Sequence, residues 1–121
     1  MRRFSLPALI ALALIFAGEA GAQDDQVPGF AKDVSPILET HCGDCHSGWF
    51  PSAGLRVGSL EELRKGGRSG PAVIPGKTDR GWLMYSLQQT EGRYRMPPEG
   101  PRLNAEQIET IRSWIAAGAR P

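Results

Sequence analysis

Residues 42–46 read Cys42-Gly43-Asp44-Cys45-His46, and they hold both cysteines of the chain and one of its two histidines. A C-x-x-C-H run is the sequence mark of covalent c-type haem attachment. The spacing has a physical reason. Two thiols three residues apart on one helical turn can reach the two vinyl groups of a single porphyrin as thioethers. The next side chain, His46, then lies under the ring, where its imidazole can ligate iron, and Gly43 keeps the turn uncrowded beside the macrocycle. The other readings of the run are weaker. A C-x-x-C disulfide closes too small a loop to stabilise much. A thioredoxin-like redox motif needs a βαβ pattern, and none is visible. A structural zinc site wants four ligands. Only His41 could join Cys42, Cys45 and His46, and the adjacent pairs would crowd the tetrahedron.

The start of the chain supplies the compartment. Arg2 and Arg3 precede an apolar run from Leu6 to Ala17, and Ala20-Gly21-Ala22 forms a small-residue cleavage pattern. That is the layout of a secretory signal peptide. The apolar run is 12 residues long and Glu19 follows it, short of the roughly 18 needed to span a bilayer. We therefore expect residues 1–22 to be cleaved, with no membrane insertion afterwards, and a mature chain starting at Gln23. That chain has 99 residues with 12 basic and 12 acidic side chains. Its balance lacks the basic footprint of a nucleic-acid binder. A domain of this size is marginal, and a cofactor often completes the core. The thiols must stay reduced until attachment, which implies export as an unfolded polypeptide.

Fifteen glycines and ten prolines predict short helices separated by long loops. Gln23 to Gly29 reads as a mobile lead-in, with one domain over residues 30–121. Phe30, Val34, Ile37, Leu38 and His41 fall at helical spacing. Pro36 suggests a helix from Pro36 to Cys42, capped by Ser35. Ser59-Leu60-Glu61-Glu62 is a capping box, and Gly66-Gly67 stops the helix it starts. Thr78 or Asp79 would cap a helix holding Trp82, Leu83, Ser86 and Leu87. Asn104 with Gln107 caps the last helix, Leu103 and Ile108 form its hydrophobic staple, Ile108, Ile111, Trp114 and Ile115 form its apolar stripe, and Gly118 ends it. The expectation is an all-α domain of three to four short helices with no strand.

Haem needs a ligand on its second face, usually Met or His. His41 shares the attachment helix with His46 and cannot reach that face; exposure or capping is its expected role. Met84 sits among Trp82, Leu83 and Leu87, where packing explains it. Met96 precedes Pro97-Pro98, which stiffens its loop, so Met96 is the expected distal ligand. Arg93, Arg95 and Arg102 flank it and would form a basic rim or pair with the haem propionates. Trp49, Phe50, Trp82 and Tyr85 are candidates for a docking rim, with core or haem packing expected for at least two. The second nitrogen of His46 should donate to a backbone carbonyl, with the acceptor expected between Gly70 and Gly76.

From Phe30 to Ala119 the chain resembles the planctomycete-type cytochrome c domain, a relative of the class I cytochromes c. The resemblance rests on Val34-Ser35-Pro36-Ile37-Leu38, Cys42-Gly43-Asp44-Cys45-His46, Gly54-Leu55-Arg56-Val57, Val73-Ile74-Pro75-Gly76, Met96-Pro97-Pro98, Leu103, Ile111, Trp114-Ile115 and Gly118-Ala119, in that order. The loop from Ser47 to Ala53, with Trp49 and Phe50, departs from the small polar residues of that family. The resemblance implies a small helical cytochrome c-like fold whose first and last helices cross beside one covalent haem c. It implies Cys42 and Cys45 as thioether sites, His46 as proximal iron ligand and Met96 as distal ligand. The expected function is electron transfer, not enzymatic catalysis: a soluble periplasmic carrier, monomeric, exchanging one electron at a time with other exported redox proteins. The alternative is a haem subunit or ligand-binding sensor of an exported oxidoreductase complex.

Overall fold

A computed structural model describes residues 26–121; the segment read as a signal peptide lies outside the described residues. Phe30–Val34 forms a π-helical turn that runs straight into α1, Ser35–Cys42. The helix thus begins before Pro36, and Ser35 is not its cap. Proline has no N–H, and its ring clashes with the carbonyl four residues back in a regular helix. The wider turn, closed by the Ser35 N–H onto the Phe30 carbonyl, accommodates it. The Ser35 hydroxyl donates instead to Glu39 Oε1 at 3.0 Å. Val34 and Leu38, four residues apart on the inner face, are fully buried.

Helix α2, Leu60–Lys65, starts where the Ser59 hydroxyl accepts the Glu62 N–H and ends at Gly66. Helix α3, Trp82–Gln88, starts later than Thr78 or Asp79 would place it, and Gly81 is its cap residue. No capping side chain is needed, because tertiary carbonyls serve the first-turn donors. The Trp82 N–H reaches the Pro71 carbonyl at 3.1 Å and the Leu83 N–H reaches that of Ala72 at 3.0 Å. Helix α4, Ala105–Ala116, carries the full reciprocal box: Asn104 Oδ1 accepts the Gln107 N–H at 2.8 Å, and Gln107 Oε1 accepts the Asn104 N–H at 2.9 Å. Past its end, the Gly118 and Ala119 N–H groups bond back to Ile115 and Trp114.

The core joins the two ends of the described residues. Val34 and Leu38 pack with Leu63, Met84, Leu87, Ile111, Trp114 and Ile115, all nearly or wholly removed from solvent. The Phe30 and Trp114 rings lie 5.8 Å apart, and the Trp114 indole N–H donates to the Arg120 carbonyl at 2.8 Å. His41 Nε2 lies 3.3 Å from Gln107 Nε2, so α1 and α4 also meet through a polar pair. Val27 to Gly29, read from sequence as part of a mobile lead-in, are held here. Arg120 Nη2 donates to the Val27 carbonyl at 2.9 Å, and the Gly29 N–H donates to Asp33 at 2.9 Å. Among the described residues there is no strand, only an isolated bridge between Gly67 and Gly70. Among the described residues the fold is all-α with four α-helices and long loops, and none of these helices is long and apolar enough to cross a membrane.

Candidate haem site

The attachment run leaves the end of α1 as a tight turn. The His46 N–H bonds to the Cys42 carbonyl at 2.9 Å, and the Ser47 hydroxyl caps that of Gly43 at 2.6 Å. A Cβ on Gly43 would stand 2.6 Å from the Glu39 carbonyl oxygen, so it is the preceding helical turn that demands glycine here. Beyond the run the chain folds back on itself. The Ser52 N–H meets the Cys45 carbonyl at 2.8 Å and the Val57 N–H meets that of His46 at 3.1 Å. This return brings the Leu55 carbonyl to 3.1 Å from His46 Nδ1. The carbonyl acceptor therefore lies nine residues downstream, not in the Gly70 to Gly76 segment. That segment is committed elsewhere: Ala72 and Val73 bond to the Leu63 carbonyl, and Gly76 bonds to that of Ile115.

A carbonyl only accepts, so Nδ1 carries the hydrogen and Nε2 keeps its lone pair. His46 is buried, at 8% exposure, and among the described residues no hydrogen bond engages its Nε2. The imidazole borders two adjoining cavities of about 250 and 360 Å³ that share Cys42, His46 and Met96. The two cavities flank these shared residues as two parts of one slot region, and the larger lies within the size range of ligand sites. Leu55, Val57, Ala72, Leu83 and Leu87 wall it on one side, and Cys45, Pro97 and Pro98 border the other. Both cysteines are free thiols, Cys42 partly buried and Cys45 exposed. Burial, reinforced by the neighbouring Cys45, pushes the Cys42 thiol up to about 11, which keeps it protonated. A mostly apolar slot, two cysteines at its edge and an oriented imidazole with a spare lone pair fit a covalently held haem.

Of the two candidate methionines, Met96 borders both cavities, whereas Met84 is 1% exposed in the core and borders neither. The Met96 N–H bonds to the Ser86 carbonyl at 3.2 Å, and the Met96–Pro97 peptide is cis. His41 is neither exposed nor a cap: it is half-buried on the Gln107 side chain. The arginines also differ from a simple rim. Arg95 bonds the carbonyls of Pro97 and Pro98, Arg102 bonds that of Leu87, and of these three Arg93 alone lines the slot, stacked 4.6 Å over Tyr94. Trp49 and Phe50 are exposed, at 90% and 98%. Trp82 and Tyr85 pack with Tyr94 in an aromatic cluster, with ring centroids 5.3 to 5.8 Å apart. Sequence reading missed Tyr94 and Leu55 as parts of the site. Tyr94 is 12 residues from Trp82, outside any helical spacing, and Leu55 contributes a main-chain atom, which side-chain identity does not mark.

Helices near both ends of the described residues, with a thiol–imidazole slot between them, are consistent with a small all-α cytochrome c-like fold. A family model described as Planctomycete cytochrome C matches residues 42–100, from the attachment run through the Met96 loop. Over that segment the chain carries a planctomycete-type cytochrome c domain, and that family implies haem-based electron transfer with a covalent haem c. No curated protein and no solved structure matches the chain.

Proposed function

We propose that the protein is an exported carrier with a single haem, attached through Cys42 and Cys45 and ligated by His46 and Met96. One observation carries the reading: His46, with Nδ1 bonded to Leu55, and Met96, from a loop fifty residues away, border the same apolar slot as Cys42. When bound, haem supplies a one-electron couple at iron. The chain does the rest. The cysteines tether the ring, so it cannot dissociate between partners. The hydrogen bond to Leu55 fixes the plane of His46 and raises the basicity of its other nitrogen. Met96, which lines the same cavities as His46, would supply the second protein ligand, a thioether that would favour the reduced state and leave no position for a substrate. The mostly apolar walls around Leu55, Val57, Ala72, Leu83 and Leu87 would limit the solvent that a change of charge there reorganises. One C-x-x-C-H run and two cysteines in the whole sequence support a single haem. The signal-like residues 1–22 support export to a periplasmic compartment. The balanced charge of the mature chain supports docking on redox partners by apolar contact, with little electrostatic steering.

Spectra of the purified exported protein in both redox states, with and without carbon monoxide, test the proposal. A low-spin haem c spectrum, a ferric thioether-to-iron band and a reduced form indifferent to carbon monoxide are expected. A reduced form that takes up carbon monoxide freely would refute the closed carrier and support a ligand-binding sensor.

A further inference from the structure

Two arginines are built into the loop that presents Met96. Arg95 uses both hydrogens of one terminal nitrogen: Nη1 donates to the Pro97 carbonyl at 2.9 Å and to the Pro98 carbonyl at 2.6 Å. Arg102 Nη2 donates to the Leu87 carbonyl at 2.8 Å, in the last turn of α3. Pro97 and Pro98 have no backbone N–H, so this stretch cannot brace itself with a main-chain ladder. Its converging carbonyls need a donor from elsewhere, and a charged donor bonds about twice as strongly as a neutral one. Arg95 itself borders neither cavity of the slot. Whatever it does there, it does through its neighbour.

We propose that Arg95 is a positioning residue that holds Met96 against the slot and thereby keeps the sixth coordination position closed. The inference rests on Met96 being the distal ligand. Met96 is fixed on its N-terminal side by the bond to the Ser86 carbonyl. The Arg95 clamp fixes the turn on its C-terminal side, so only the side-chain torsions remain free. A methionine has three of these, and a thioether is a weak ligand. Every further degree of freedom in the backbone would favour the detached state. Removing the clamp should therefore enlarge the detached population without unfolding the domain.

The test measures carbon monoxide combination with the ferrous holoprotein by stopped flow, alongside the ferric thioether band. Wild type is compared with Met96→Ala, Arg95→Met, Arg95→Lys and Arg64→Met. Arg64 makes a comparable guanidinium bond, 3.3 Å to the Ala119 carbonyl, remote from the Met96 loop. Arg95→Met should speed combination at least tenfold, about 1.4 kcal/mol of altered barrier, and weaken the band. Arg95→Lys, which keeps the charge on a shorter side chain that reaches the two carbonyls less well, should fall between it and wild type. Arg64→Met should lower the thermal midpoint with combination as slow as wild type. Arg95→Met combining at the wild-type rate, with an undiminished band, overturns the clamp. If that variant does not accumulate with haem, Arg95→Lys decides by the same two readings. Wild type combining as fast as Met96→Ala is a separate result, which removes Met96 as the ligand and the clamp with it.

Discussion

Gly66 should be the most damaging single position for a methyl group. Its backbone, at φ 74° and ψ −161°, lies in a region essentially reserved for glycine, which costs other residues about 1–3 kcal/mol. A Cβ there would also fall 1.9 Å from the Gly70 carbonyl oxygen and 2.6 Å from Pro71 Cα. Both atoms belong to backbone, so the loop must open to admit it. The reciprocal bonds between Gly67 and Gly70, at 3.2 and 3.1 Å, would go first, at about 1 kcal/mol each. Gly66→Ala should therefore cost about 3–5 kcal/mol. In a domain of this size that lowers the thermal midpoint by at least roughly 12 °C. Gly76→Ala is the control. Its φ of 77° is equally left-handed, but nothing stands within 4 Å of the added carbon, so its cost is about 1–2 kcal/mol of local strain. Guanidinium unfolding of the two holoproteins, followed by tryptophan emission, reads the difference directly. Trp82 donates its indole N–H to the Ser69 carbonyl in that loop at 2.8 Å, so its emission reports the opening. If the two variants unfold within about 0.5 kcal/mol of each other, the steric argument is wrong.

Met84→Ala should lower stability by about 2–5 kcal/mol and leave the thioether band in place, because Met84 is buried away from the slot. Met96→Ala should abolish the band and lower the reduction potential; absorption spectra and a redox titration would expose a reversed pattern. Asn104→Ala removes the acceptor for the Gln107 N–H and should cost about 1 kcal/mol in chemical denaturation. A value near zero would mean that tertiary packing alone holds the start of α4. In haem-free protein, alkylation at pH 9 should reach Cys45 well before Cys42. A thiol raised from 9.0 to about 11 stays protonated at that pH, and only the thiolate attacks. Equal rates would show that the Cys42 thiol is open to water.

What the sequence determined by itself is whatever depends on residues a few positions apart. The C-x-x-C-H run sets Cys45 and His46 three and four residues from Cys42, in one tight turn. The Asn104–Gln107 box forms as read, because its donors and acceptors lie within that same turn. The stripe of Ile111, Trp114 and Ile115 faces the core as helical periodicity requires. Tertiary structure decided the rest. Leu55 serves His46 only because the loop after the run turns back along it. Trp82 starts α3 because the carbonyls of Pro71 and Ala72 meet its first donors, which outweighs the local capping signals at Thr78 and Asp79. His41 reaches Gln107, and Arg95 and Arg102 reach carbonyls, where side-chain type alone suggests solvent or propionates. Main-chain acceptors look alike in every residue, and which one a side chain meets is settled by how the loops close around a shared core. Periodicity specifies the face an element buries; only packing specifies what that face meets.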